Sequence, residues 1–136
     1  MGLDMYAYTA PAELVGDQQV DLGDKLFDNG HPVEGVDIYF AYWRKFNHLH
    51  GWMEQLYRKK GGTMPSFNCT TVRLMPEDLD VLESLAKAKA LTPTAGFFFG
   101  GDELFDEDDQ ASVLEFVGKA RAAIGEGKAC LYDSWW

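Results

Sequence analysis

The sequence predicts an α+β fold, or a small α/β one: a single mixed sheet of about four strands with about three helices, in one domain over residues 1–136. Three observations carry that expectation. Short runs near the beginning, middle and end of the chain are β-branched, aromatic or alternating at period two. Between them lie segments whose apolar residues recur at spacings of three and four. Gly and Pro punctuate the changes from one pattern to the next. A chain of 136 residues is long enough to bury one core, and a second domain is not expected.

In chain order, Leu3-Asp4-Met5-Tyr6-Ala7-Tyr8 alternates as a half-buried strand does, and Pro11 ends it. Residues 10–35 are polar, acidic and interrupted by Gly16, Gly23, Asn29-Gly30 and Pro32. They read as an irregular excursion with one short turn of structure, either functional or poorly ordered at that length. Over 36–59, Ile38, Tyr42, Phe46, Leu49, Met53 and Leu56 recur at spacings of three or four. This predicts one continuous helix of about six turns, closed by Lys59-Lys60-Gly61-Gly62. Residues 68–74 are rich in β-branched side chains and predict a strand. Pro76 with Glu77 and Asp78 opens a helix to about Ala90, burying Leu79, Leu82, Leu85 and Ala86. Gly96-Phe97-Phe98-Phe99-Gly100 suits a strand buried on both faces. A helix over about 109–124 and a last strand over 128–136 complete the chain.

Charge narrows the function classes. The chain holds 22 acidic and 12 basic residues, a formal net charge of −10, and this field repels nucleic-acid phosphates and anionic membranes. Residues 1–35 carry seven acids against Lys25 alone. Asp102, Glu103, Asp106, Glu107, Asp108 and Asp109 crowd a second segment. Two cysteines without metal spacing, no long apolar run and no signal-like N-terminus predict a soluble cytoplasmic protein. No cofactor or metal is expected: the acidic run lacks the EF-hand order, and Gly100-Gly101 lacks a following Lys-Ser or Lys-Thr. Direct nucleic-acid binding by Arg44, Lys45, Arg58, Lys59 and Lys60 is disfavoured by the net charge.

On a continuous 36–59 helix, Trp43, Asn47, His50 and Glu54 fall on one line, with Arg44 on the next. An imidazole titrating near neutral pH, an amide to orient it and a guanidinium to bind an anion would suit acid/base or anion-binding work. The structural alternative is that the rings pack in a core and the Asn and His bond to nearby groups.

Five stretches then combine. They are Met1-Gly-Leu-Asp-Met-Tyr6, Tyr42-Trp-Arg-Lys-Phe-Asn47 continuing through Leu49-His50 to Trp52, Phe67-Asn-Cys69, Pro93-Thr-Ala-Gly-Phe-Phe-Phe-Gly100 and Tyr132-Asp-Ser-Trp-Trp136. Together they resemble a family of small, functionally uncharacterised phage, prophage and bacterial proteins, over nearly the whole chain. Some members carry a phosphoglycerate kinase designation, which a chain this short and without a phosphate loop does not fit. Residues 10–35 depart from the family's usual shorter, more basic segment.

The resemblance implies a phage-type accessory protein working in a host cytoplasm. Its acidic surface, formed by residues 10–35 and the acids of 102–109, would bind a host protein such as a defence factor or nucleic-acid enzyme. The alternative is a protein or enzyme for a small anionic or nucleotide-like ligand, with Trp43, Arg44, Asn47, His50, Trp52 and Asn68 as its site. Asp4, Tyr6, Phe99 and Ser134, at the ends of strands, would complete such a pocket.

Overall fold

The computed structural model describes residues 2–91 and 105–136. Its elements are β1 (Asp4–Pro11), α1 (Ala12–Val15), α2 (Gly23–Leu26), β2 (Phe27–Asp28), β3 (His31–Pro32), β4 (Asp37–Arg44), α3 (Asn47–Lys59), β5 (Val72–Leu74), α4 (Pro76–Lys87), α5 (Glu107–Gly125) and β6 (Lys128–Trp135). The fold is α+β. Four strands form a sheet in the order β4-β1-β6-β5, and β2 and β3 form a separate hairpin. Every described ladder is antiparallel, so the sheet is not the mixed one that the sequence suggested.

The main correction falls on residues 36–59. The helix begins only at Asn47, and Asp37–Arg44 is an edge strand paired with β1 through Tyr6↔Tyr42, Met5↔Trp43 and Asp4↔Arg44. Local chemistry explains it: Asp-Ile-Tyr-Phe-Ala-Tyr-Trp-Arg contains four aromatic residues and a β-branched one in eight, a composition that favours a pleated surface. The spacing of three and four through Ile38 and Tyr42 is coincidental, since Tyr42 ends up exposed. At the junction Lys45 adopts φ 56°, and its N–H donates to the Leu3 carbonyl at 2.8 Å. That left-handed residue turns the chain out of the strand and into α3.

The other elements follow the sequence with shifted ends. The strand expected over 68–74 is regular only at β5, α4 stops at Lys87, and α5 starts two residues early. At the start of α5, Asp106 and Asp109 each accept the other's backbone N–H, at 2.8 and 3.1 Å. The expected Gly96–Gly100 strand lies outside the described residues.

Helices α3, α4 and α5 cover one face of the sheet. Leu3, Met5 and Ala7 meet Leu49, Met53, Leu79, Leu82, Val113 and Phe116 in the larger core. The excursion covers part of the opposite face. Val15, Leu22 and Leu26 pack under it against Tyr8, Ala10, Ala129 and Leu131 as a second apolar cluster. It is more regular than its composition suggested: two single-turn helices, and a hairpin whose Asn29 and Gly30 both have positive φ (50° and 80°), as a type I′ turn requires. It also reaches the far edge of the sheet, where Val20 bridges Val72 and the Arg73 N–H donates to the Gln19 carbonyl. There Lys60 is largely buried; its Nζ contacts Asp78 Oδ2 at 2.5 Å, Gln19 Oε1 at 2.9 Å and the Arg73 carbonyl at 2.6 Å.

Candidate binding surface

The residues expected to line up along one helix are separated by the fold. Trp43 lies on β4, packs edge-on against Phe116 at 5.0 Å and donates from Nε1 to Ser112 Oγ at 2.9 Å. Asn47 is buried in the first turn of α3. His50 is fully buried, ring to ring with Phe67 at 5.1 Å, and its Nδ1 lies 2.7 Å from the Tyr132 hydroxyl. Burial holds its pKa down at about 4, so the ring stays neutral across the physiological range. Arg44 is exposed at the end of β4, and Trp52 is half-buried on α3. Trp43 and His50 thus pack in a core, while Arg44 is exposed with its guanidinium beside Gly2.

Asn68 has a structural task. Its Nδ2 donates to the Trp136 carbonyl at 2.7 Å, and its Oδ1 accepts the Trp136 N–H at 2.9 Å. The Trp136 indole N–H donates to the Phe67 carbonyl at 3.0 Å, so the segment after β6 is held by three bonds. Ser134 is buried, with its hydroxyl 3.4 Å from the same carbonyl.

The acids of the second cluster divide. Asp102 and Glu103 lie outside the described residues. Asp106 and Asp109 serve the helix terminus, Glu107 reaches Lys89 at 4.0 Å, and Asp108 is exposed in the first turn. Among the described residues no three His, Cys, Asp or Glu side chains converge to hold a metal ion, and no helix is long and apolar enough to cross a membrane.

What the fold brings together is a patch on the sheet face that the excursion shares. Side chains of paired residues stand side by side on the same face of a sheet. The registers therefore set Tyr42, Tyr6 and Asp133 in one row, and Arg44, Asp4 and Trp135 in the next. Within the array the Tyr42 hydroxyl donates to Asp4 Oδ1 at 2.6 Å, and the Tyr6 ring lies 5.4 Å from that of Tyr42. In the next row inward, the Tyr8 hydroxyl donates to Asp133 Oδ2 at 3.0 Å, while the Ser134 N–H donates to Oδ1 at 2.8 Å. No family model, curated protein or solved structure matches this chain. The geometry alone therefore carries the functional reading.

The electrostatics of the patch follow from partial burial. Burial raises the pKa of Asp133, with the Ser134 N–H and Tyr8 hydroxyl pulling the other way. The hydrogen bond to Asp4 raises that of Tyr42, whose phenol stays protonated. Trp135 is 64% exposed and Tyr42 55%, large values for rings of that size. Beside them Gly2, Asp4, Trp135 and Trp136 line a cleft of about 410 Å³. The candidates Asp4, Tyr6 and Arg44 do sit here. Tyr42 belongs to the stretch that carries the resemblance, whereas Asp133 and Trp135 are not among the site residues expected from the sequence. Their signal was the alternation of 3–8 and the final strand, but the partner strand β4 was hidden inside an apparent helix.

Proposed function

We propose that the protein is a phage-type accessory protein that binds a basic host protein through its acidic excursion layer. One observation carries this reading. Glu13, Asp17, Asp24, Asp28 and Glu34 are all exposed on the excursion, and among the described residues none of the ion pairs includes them. Carboxylates held on a packed layer and left unneutralised attract a partner rich in Lys and Arg, steering its approach and opposing anionic competitors.

The test is capture from host lysate by immobilised protein. A basic partner is expected to be retained at about 0.1 M salt and released near 1 M, where the screening length falls from about 10 Å to about 3 Å. Replacing Asp17, Asp24, Asp28 and Glu34 by their amides should abolish retention without altering the fold, since all four are exposed. Retention that survives neutralisation, or the absence of any specific partner at low salt, would overturn the proposal.

A further inference from the structure

We infer that the uncovered end of the sheet, from the cleft beside Gly2, Asp4, Trp135 and Trp136 to the rings of Tyr6 and Tyr42, seats an arginine or lysine side chain of a protein partner. The inference rests on the acidic-surface reading and names its anchor point. The excursion's second core is built on Tyr8 and Leu131 with Tyr6 packed against its rim, and it covers the two rows beyond only in part: Asp4, Tyr6 and Asp133 are half-buried, and Tyr42, Arg44 and Trp135 are exposed.

Three features select a cation rather than an apolar or anionic group. The first is the rings: the quadrupoles of Trp135, Tyr6 and Tyr42 attract a cation stacked on their faces, and the rings also accept the aliphatic stem of Lys or Arg. The second is the carboxylates. Asp4 and Asp133 lie in adjacent rows of the same face, and an apolar occupant would strip water from Asp4 without replacing its hydrogen bonds. The third is rigidity. Trp136 is clamped by Asn68 and Phe67, and Asp4 is oriented by the Tyr42 hydroxyl, so the walls stand in place before a ligand arrives. Arg44 is the one cation in the rows; its guanidinium and the Lys45 side chain both run alongside Gly2, and neither forms an ion pair with Asp4 among those of the described residues. A phosphate or nucleic-acid occupant of the cleft would face the Asp4 carboxylate within a protein of net charge −10.

The probes are N-acetyl-arginine amide, N-acetyl-lysine amide and, as the neutral control, N-acetyl-norleucine amide, titrated into the full chain while the indole N–H resonances of Trp135 and Trp136 are followed by NMR. Both cationic probes should shift these resonances saturably and norleucine amide should not. Asp4→Asn and Trp135→Ala should each weaken the cationic probes about tenfold, the scale of one cation–π or charge-assisted contact. Asn keeps an oxygen for Tyr42 and Trp135 is mostly exposed, so both variants should retain a native spectrum. Equal binding of norleucine amide would make the cleft an apolar seat. Concentration-dependent shifts without any probe would assign it to a second copy of this chain. Either result overturns the inference, as does probe binding unchanged in both variants or no binding at all. The excursion reading fails separately. If lysate capture depends on the excursion acids while the cleft ignores the cationic probes, only the present inference falls; cleft binding without any lysate partner removes only the function proposed above.

Discussion

Burial of His50 makes stability depend on acid in a defined window. The ring is fully inaccessible, and burial is the cause that lowers its pKa to about 4, against 6.5 for an ordinary histidine. In the unfolded chain the imidazole takes up a proton as pH falls below about 6.5, whereas in the folded chain it stays neutral until about pH 4. The unfolded state therefore binds more protons throughout that interval. Stability is fully present above the unfolded pKa and is lost as pH falls through 6.5 towards the folded value. The slope approaches about 1.4 kcal/mol per pH unit, so this one group removes on the order of 2 kcal/mol by pH 5 and on the order of 3 kcal/mol by pH 4.

Other groups contribute on acidification with mixed sign. Burial raises the pKa of Asp133 and Asp109, which favours the folded state in acid, whereas the bonds from Arg121 lower that of Glu83. The informative quantity is therefore a difference between proteins. Urea unfolding would be measured from pH 7.5 to 4.5 for the native chain and for His50→Gln, whose amide keeps a hydrogen-bonding group near the Tyr132 hydroxyl but cannot titrate. The variant should be less stable at neutral pH and should lose less on acidification, so the two curves converge by on the order of 2 kcal/mol at pH 5. Parallel curves would show that His50 is not held neutral, and would refute its placement in the core.

Two further outcomes test the contacts that hold the fold together. Lys60→Met removes an ammonium with three oxygen partners and leaves the largely buried Asp78 carboxylate with the Met75 N–H, at a cost of about 2–4 kcal/mol in chemical denaturation, whereas Lys59→Met, at an exposed position, should change stability by less than about 0.5 kcal/mol. Equal effects of the two would refute the staple. A Cβ on Gly62 would lie 2.3 Å from atoms of the Tyr57 ring, which is buried and bonded to Asp21 and the Met64 N–H; Gly62→Ala should therefore lower stability by about 1–3 kcal/mol in thermal unfolding, and a neutral result would mean that the ring moves aside freely.

How much of this was legible in the sequence depends on the range of the interaction that decides each element. Helices α4 and α5 were readable because Pro76, Asp78 and the acids at 106–109 act within one turn of where they stand. The excursion's outline was legible from Gly, Pro and acid content, but its buried aliphatics were not, because Leu22 and Leu26 gain their partners from β1 and β6, far along the chain. Residues 37–44 were misread because one stretch satisfied two periods at once. Its choice was made by β1, whose free edge offered hydrogen bonds that the local pattern does not encode. The candidate site inherited that error. Strand register sets the patch that includes Asp4, Tyr6 and Tyr42, and a register is a property of three strands together.

Half of the charge excess sits on one layer: residues 10–35 hold six acids against Lys25, a net −5 of the chain's −10. Arg58, Lys87 and Arg121 find acids on their own or a neighbouring helix at 2.7–3.9 Å, and Lys60 finds Asp78, so the helical layer neutralises part of itself. The excursion has Lys25, whose Nζ donates to the Val15 carbonyl at 3.1 Å. A segment whose acids only kept the chain soluble would have no need of a buried aliphatic cluster, because solvated loops tolerate disorder. Here Val15, Leu22 and Leu26 are fully buried to hold that layer against the sheet. Much of the entropy cost of ordering the backbone that carries those carboxylates is thus incurred during folding rather than at binding, which favours a partner that must meet a fixed pattern of charge.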